Sequence, residues 1–548
     1  MQAAAMSDYN AAIQHPSTCF RDRELTGCTV ESNPFGLPRP RTGGFAITYH
    51  LSGLGREWAV RCFHRDVPDL QQRYEAISSF LQSAKAAIFA PFDYQPQGIL
   101  VSGGWRPIVK MGWVTGDTLD GFIEAHLGDT DSLGHLATQF RGTVLELRKL
   151  QMAHGDLQHG NMVVTPAREL KLIDYDGMYV LGMPVGRSHE KGHVNYQHPQ
   201  RDASHFGPDM DRFSSIVIYL SIMAVAENPS LWSKYYSGEN LIFGSQDFAD
   251  PDNSRLFGEL RSSGTYRSVL DDLARLCAMP ISRVPTLEDL LSGRFLPSGT
   301  VMPTHTRAVA PRQYELVLAT DRDGLLKREG SAVEVVGKVQ GCRRGQTRFG
   351  KPYLFLNFGD WRYGCFYLVF WTRGLERLTA RGLSETDLVG KWLSVTGLIE
   401  TYCSRKAPKA PQIVIDNPAV IRTISQSEAM LLCAEAVAGS PDHRADWDGQ
   451  AVAESCRTAV QSGSPLAAGK AVSNRDILNQ MRSVEHARIS SVSPSQALSR
   501  GSGSSHIPVG APGSAKGGHP TSPQIASSQA GKGLLATALE YLERLLRG

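Results

Sequence analysis

The sequence predicts an α+β protein with at least two folded parts and a largely disordered tail. Three observations carry this. From about 31 to about 300, short alternating apolar runs give way to longer runs at helical spacing. From about 331 to about 425, strand-like runs follow one another with short turns. After that, Ser, Gly, Ala and Pro take over. At roughly 100–200 residues per domain, 548 residues leave room for two to four domains.

The composition allows a sizeable core, with 41% apolar and 20% charged residues. Net charge is only +3, so any basic binding patch must be local. The nine cysteines are scattered, without CxxC pairs or metal-ligand spacing with His. That excludes a disulfide framework and a zinc site, and predicts a reducing compartment. The start, MQAAAMSDYNAAIQ, lacks a basic stretch followed by an apolar run, so no secretory signal is expected. The longest apolar run, Phe213–Ala226, falls short of the roughly twenty residues that span a bilayer and predicts a buried core helix. The expectation is a cytoplasmic protein with no membrane contact.

The elements follow in order. An N-terminal extension occupies 1–30, and the first folded part 31–300. Phe45–Leu51 and Glu57–Phe63 alternate as strands around a turn at Ser52–Gly55. Leu70–Lys85 reads as a helix, with Tyr74, Ile77, Phe80 and Leu81 at helical spacing. Two short strands follow, Gly98–Ser102 and Pro107–Trp113, and then mostly helices. A connector spans 301–330. Residues 331–425 hold five strand-like runs and predict a small all-β barrel. Residues 426–532 form a low-complexity linker expected to be largely disordered. The last stretch, 533–548, gathers Leu535, Ala538, Leu539, Leu542, Leu545 and Leu546 on one face of an amphipathic helix suited to a partner protein.

The chemistry concentrates in HGDLQHGN, His154–Asn161, and in LIDYDG, which carries Asp174 thirteen residues after Asn161. Phosphoryl transfer requires an oriented nucleophile, magnesium held on the phosphates and neutralised charge. A carboxylate can guide the acceptor's proton, while a second carboxylate and an amide oxygen can hold magnesium. Asp156 supplies the first carboxylate, Asn161 the amide oxygen and Asp174 the second carboxylate. A hairpin of Met162–Val164 and Leu170–Ile173 would return Asp174 to the side of Asn161.

These motifs resemble the protein-kinase superfamily. HGDLQHGN stands where a protein kinase has HRDLKPEN, and IDYDG where it has the D-F-G segment. The wording is that of atypical and small-molecule kinases. GHVNYQHP, Gly192–Pro199, stands at the A-P-E position without its Glu. The resemblance implies a bilobal kinase-like fold that uses ATP and magnesium. It makes Asp156 the base, Asn161 and Asp174 metal ligands, and Asp176 a weaker third candidate. It gives Asp211 the role of anchoring the catalytic loop, and His154 a structural one; His159 reads as a local contact or a residue on the substrate side. RTGGFAI puts Gly43, Gly44 and Phe45 where a glycine-rich phosphate loop belongs, without the full GxGxxG. Arg61 stands in place of the phosphate-clamping lysine, and Glu75 is placed to pair with it. GWVTGDTL resembles the adenine hinge, which adds Met111 and Trp113 to the nucleotide set.

The second part resembles an OB-fold, a barrel often used for single-stranded nucleic acid. Lys338, Arg343, Arg344, Arg348 and Lys351 form a basic turn between its first two strands, with aromatics close by. Nucleic acid and a docked protein both stay open as partners. Two functional classes stay open as well. One is an ATP-dependent kinase of protein serine or threonine. The other is a pseudokinase scaffold, favoured by Arg61 and the thin glycine loop. A small-molecule kinase is a third reading, which GHVNYQHP and DRFS disfavour.

Overall fold

Alternation of apolar and polar residues builds the first sheet, as the strand period requires. In the computed structural model its strands are β1 (Thr29–Val30), β2 (Arg41–Thr42), β3 (Ala46–Gly53), β4 (Arg56–Phe63), β5 (Phe92–Val101) and β6 (Gly104–Gly112). They run in the order β1-β3-β4-β6-β5, with β2 also on β3, and every pair is antiparallel. The structure describes residues 4–33, 36–42, 46–65, 69–188, 190–263, 267–294, 310–347, 349–402 and 408–439. Gly43, Gly44, Phe45, Arg348, the expected linker beyond 439 and the expected helix over 533–548 lie outside the described residues.

Each face of this sheet has its own cover. Helix Leu70–Ala84 carries Tyr74, Ile77 and Leu81 into the core on one face, together with Ala46, Phe63 and Val109. On the other face, Ile47, Tyr49, Leu51, Val60 and Cys62 pack against Tyr9, Ile13, Phe20 and Leu25. Residues 4–30 are thus part of the sheet's core rather than an appendage. Lys110 fixes them further by pairing with Asp22 at 2.7 Å and with Glu24.

Residues 113–116 lead from β6 into a small antiparallel sheet of β7 (Asp117–Thr118), β8 (Met162–Val164) and β9 (Leu170–Leu172). Around it lie the helices Thr130–Lys149 and Arg212–Glu227 and several shorter ones. Helix Arg212–Glu227 buries Phe213, Ile216, Val217, Leu220 and Val225, as its unbroken apolar run predicts. No helix among the described residues is long and apolar enough to cross a membrane.

The strand-rich part departs from the expected barrel. Its strands form two facing sheets rather than one closed sheet. The first holds β10 (Glu315–Leu318), β11 (Ala332–Lys338), β15 (Trp392–Leu398) and β18 (Ile421–Ile424). The second holds β12 (Gly341–Gln346), β13 (Pro352–Asn357), β14 (Tyr367–Phe370), β17 (Ala410–Val414) and β16 (Glu400–Tyr402). The chain changes sheets between two adjacent residues. The Val339 N–H donates to Lys391 at 3.0 Å, and the Gln340 N–H to Asn357 at 2.8 Å. β11 therefore pairs with β10 and β15, and β12 pairs with β13. Val335, Leu354, Leu356, Leu368, Leu393 and Val395 fill the space between the sheets.

Two expected boundaries shift. The connector over 301–330 already contains β10 and helix Arg322–Lys327. The tail expected to be disordered from 426 begins with helix Gln426–Gly439, which lays Ala429 and Leu432 on Val336 and Ile424. Its Ala, Leu, Met and Glu residues are strong helix formers, which the neighbouring Ser- and Gly-rich sequence obscures. All described residues belong to one compact unit, Met1–Asn474.

Candidate active site

The loop His154–Asn161 is tied down from below by Asp211. The carboxylate of Asp211 accepts the backbone N–H of His154 and, at 2.8 Å, that of Gly155. Burial outweighs these bonds and raises the Asp211 carboxyl above its ordinary value. His154 is fully buried; its Nε2 bonds the Ile173 carbonyl at 3.0 Å, and the ring stands edge-on to Tyr175. Gly155 has a φ of +82°, and a Cβ there would run into the carbonyl of Gly177. The glycine of HGD thus follows from the close approach of the segments that carry Asp156 and Asp174.

Three donors hold the Asp156 carboxylate. They are Gln158 Nε2 at 2.8 Å, Asn161 Nδ2 at 3.0 Å and the His193 N–H at 2.7 Å. Asn161 Nδ2 also bonds the Asp156 carbonyl at 2.9 Å. The Ile173 N–H donates to the Asn161 carbonyl at 3.0 Å and extends the β8–β9 pairing by one step. That bond brings Asp174 beside Asn161, as the hairpin length predicts. Asp174 itself has a φ of +65°, the left-handed region that Asp tolerates better than most side chains.

Arg61 reaches these carboxylates from β4. Its Nη1 is 3.0 Å from Asp174 Oδ1, and its Nη2 pairs with Asp176 Oδ2. Asp176 is buried, accepts the Tyr74 hydroxyl on its other oxygen, and receives Arg73 on its backbone carbonyl at 2.6 Å. Burial disfavours the Arg61 cation, but Asp174, Tyr74 and Glu190 outweigh it and raise its pKa above the ordinary value.

The expected pair of Arg61 with Glu75 does not form. Glu75 is exposed and accepts Gln71 at 2.8 Å. Tyr74 points into the core with Ile77 and Leu81, and the next residue is turned about 100° around the helix. The apolar spacing of that helix was the available signal. It marks Tyr74, not Glu75, as the residue facing Arg61. Asp176, the weaker metal candidate, is instead the buried partner of Arg61 and Tyr74.

Met111 pairs with Ala59, and Val109 with Arg61, so Met111 and Arg61 share one sheet face. His50 pairs with Ala59 on that same face. Trp113 stacks on His50 with ring centres 3.9 Å apart, and the Arg41 guanidinium lies 4.7 Å from its ring.

Three further groups surround the site without having been singled out from the sequence. Glu190 lies just before GHVNYQHP. Burial pushes its carboxyl up to about 7, with Asp174 and Asp156 adding to the rise and Arg61 and Arg73 opposing it. His193 Nε2 meets Glu239 at 2.9 Å. Glu239 also accepts the hydroxyls of Tyr314 at 3.0 Å and Thr396 at 2.7 Å. Burial would raise the Glu239 carboxyl, but these partners together hold it below its usual range. Glu239 sits in an irregular stretch with no local sequence signal. His159 is a buried local contact, bonded to Tyr196 and to the Gly238 carbonyl at 3.2 Å, and burial lowers its pKa.

The donor chemistry suits magnesium, which takes one or two protein oxygens and completes its shell with phosphates and water. Asn161 offers Oδ1, which accepts no hydrogen bond among the described residues. Asp174 Oδ1 is buried, and its partner among the described residues is Arg61. Among the described residues, no three His, Cys, Asp or Glu gather into an all-protein metal site.

The basic residues of the second part stand differently from expectation. Arg343 and Arg344 lie on β12 rather than in a turn; the turn comes later, where Thr347 bonds Lys351 at 2.8 Å. Arg344 pairs with Glu385 at 3.0 Å, Lys338 ends β11, and Lys351 is exposed. Arg343 sits opposite Phe355 on the outward face of its sheet. There Tyr353, Phe355, Tyr367 and Trp371 form a chain of ring contacts with centres 4.9–6.3 Å apart. None of the described cysteines forms a disulfide. The chain matches no protein-family model and no curated protein.

Proposed function

We propose that the protein is an ATP- and magnesium-dependent phosphotransferase of protein-kinase type, acting on a serine or threonine hydroxyl of a protein. In this reading the first sheet with helix Leu70–Ala84 is one lobe, the helical part is the other, and residues 113–116 cross between them. The observation that supports it most is the joined hydrogen bonding of Asp156, Asn161 and the Ile173 N–H, which links the residue read as base to one residue read as metal ligand and to the neighbour of the other. Asp156 guides the acceptor proton. Asn161 and Asp174 would hold magnesium, which would supply positive charge against the phosphates. Arg61 contributes a second cation on the same side.

A second reading, a scaffold that binds without turnover, is favoured by one observation. Arg61 engages both Asp174 and Asp176, so its positive charge stands where the metal would. The outward aromatic face of the second part is assigned to single-stranded nucleic acid, with a docked protein as the rival.

Transfer of radiolabelled phosphate from ATP, with the full chain and a generic protein acceptor, separates the two readings. Magnesium-dependent labelling that disappears in Asp156→Ala and Asp174→Ala supports the enzyme. Labelling equal in wild type and Asp174→Ala, or none with any acceptor, supports the scaffold.

A further inference from the structure

The hydrogen bonds around Asp156 do not end within the helical part. The His193 N–H donates to Asp156 Oδ1 at 2.7 Å, and the ring of the same residue is held by Glu239 at 2.9 Å. Tyr314, just before β10, donates to that same oxygen of Glu239 at 3.0 Å, and Thr396 of β15 donates to the other oxygen at 2.7 Å. The Tyr314 ring also meets the His193 ring edge-on, with centres 6.2 Å apart. One residue on, the Val194 N–H donates to Gln313 Oε1 at 2.9 Å. Asn195 then bonds the Glu239 carbonyl at 2.9 Å. The strand-rich part thus contributes three side chains, Thr396 and Tyr314 on Glu239 and Gln313 on the Val194 N–H, to the network that sets one oxygen of Asp156.

We infer that Glu239 is a positioning residue for Asp156, and that the strand-rich part completes the phosphotransfer site by holding Glu239 through Thr396 and Tyr314. The inference rests on the phosphotransfer reading for its catalytic consequence, but not for its geometry. A half-buried carboxylate held by three donors has one orientation. Its imidazole partner then has one orientation too, and the backbone N–H of that residue is aimed. Loosening the two hydroxyls frees the His193 segment to open locally, and Asp156 loses one of its three donors.

Thr396→Val and Tyr314→Phe remove one hydroxyl each with little change of shape, and Thr396→Ser restores the first. Amide hydrogen exchange of the full-length protein reads the His193 amide directly. Exchange there is expected to rise about tenfold in the Thr396→Val, Tyr314→Phe double variant, the effect of losing about one charge-assisted bond. kcat is expected to fall by a similar factor with KM for ATP unchanged, and Thr396→Ser to behave as wild type. Arg344→Ala, which breaks a pair elsewhere in the strand-rich part, controls for general loosening and should leave the His193 amide as it is.

Unchanged exchange at His193 in a double variant that keeps its circular dichroism and thermal midpoint overturns the inference, even where wild type transfers phosphate. A rise in kcat overturns it too, because the strand-rich part would then be restraining the site. A rise in His193 exchange in a protein that transfers no phosphate keeps the coupling and removes the phosphotransfer reading.

Discussion

Arg61 Nη1 lies 3.0 Å from Asp174 Oδ1, so a cation on β4 closes on the carboxylate that the proposed function assigns to metal. The same guanidinium neutralises Asp176, which is almost fully buried. Both halves of the site therefore meet in one ion-pair cluster.

Removing Arg61 leaves the Asp176 carboxylate buried without its cation. Breaking a buried pair from one side typically destabilises by about 3–5 kcal/mol. Arg61→Met is expected to lower the urea midpoint accordingly. Arg61→Met with Asp176→Asn should recover much of that loss, because no uncompensated charge remains. Additive losses in the double variant would show that Asp176 does not depend on Arg61.

Asp211→Ala strips acceptors from the N–H groups of His154 and Gly155. Each buried donor left unpaired costs about 1–3 kcal/mol. The loss should appear as a lowered unfolding midpoint and as faster amide exchange over 154–156. Asp211→Asn keeps one good acceptor and should fall between the two. Exchange in that loop unchanged by the alanine variant would exclude the anchoring role.

Glu190 gives a dependence on pH with a definite sign. Its carboxyl is raised from an ordinary 4.5 to about 7, chiefly by burial. The folded state therefore binds a proton that the unfolded chain has released. Its contribution is complete below about 4.5 and is lost as pH rises through about 7. Wild type should lose stability across that window, and Glu190→Gln should lose less. Parallel pH profiles of the urea midpoint would contradict the assignment.

On the outward face of the second sheet, Phe355 is the ring at the centre of the aromatic chain. If single-stranded nucleic acid stacks there, Phe355→Ala should weaken binding by about 1–3 kcal/mol. Arg343→Ala should weaken it and reduce its salt dependence. Arg344, already paired with Glu385, should matter less. Fluorescence anisotropy with a labelled oligonucleotide over a salt series measures all three, and the absence of binding at low salt rules out the surface.

The parts of the chain that were legible share a physical character. The β8–β9 hairpin and helix Arg212–Glu227 follow from local periodicity, and the structure places both where expected. Asn161 meets Asp156 and the Ile173 N–H, one residue before Asp174, because a short hairpin leaves the chain little choice. Tyr74 and Glu75 illustrate the limit. Both are one helical step from usefulness, and only the apolar stripe says which one faces inward. Glu239 was out of reach, since its partners Tyr314 and Thr396 stand 75 and 157 residues away. The open arrangement of the second part was also hidden. Alternation predicts strands, but not that Val339 and Gln340 bond to different sheets.

The helices at the beginning of the chain bear on how the protein can be handled. A fragment cut at 31–300, the span the kinase resemblance suggests, would lose β1 and bare Ile47, Tyr49, Leu51 and Val60 along one side of the five strands that remain. Such a surface is sticky, and the excised piece would be recovered as aggregate rather than as a minimal catalytic cassette. Any useful truncation has to begin ahead of Tyr9, whose hydroxyl is bonded to the carbonyl of Phe63 at 2.8 Å.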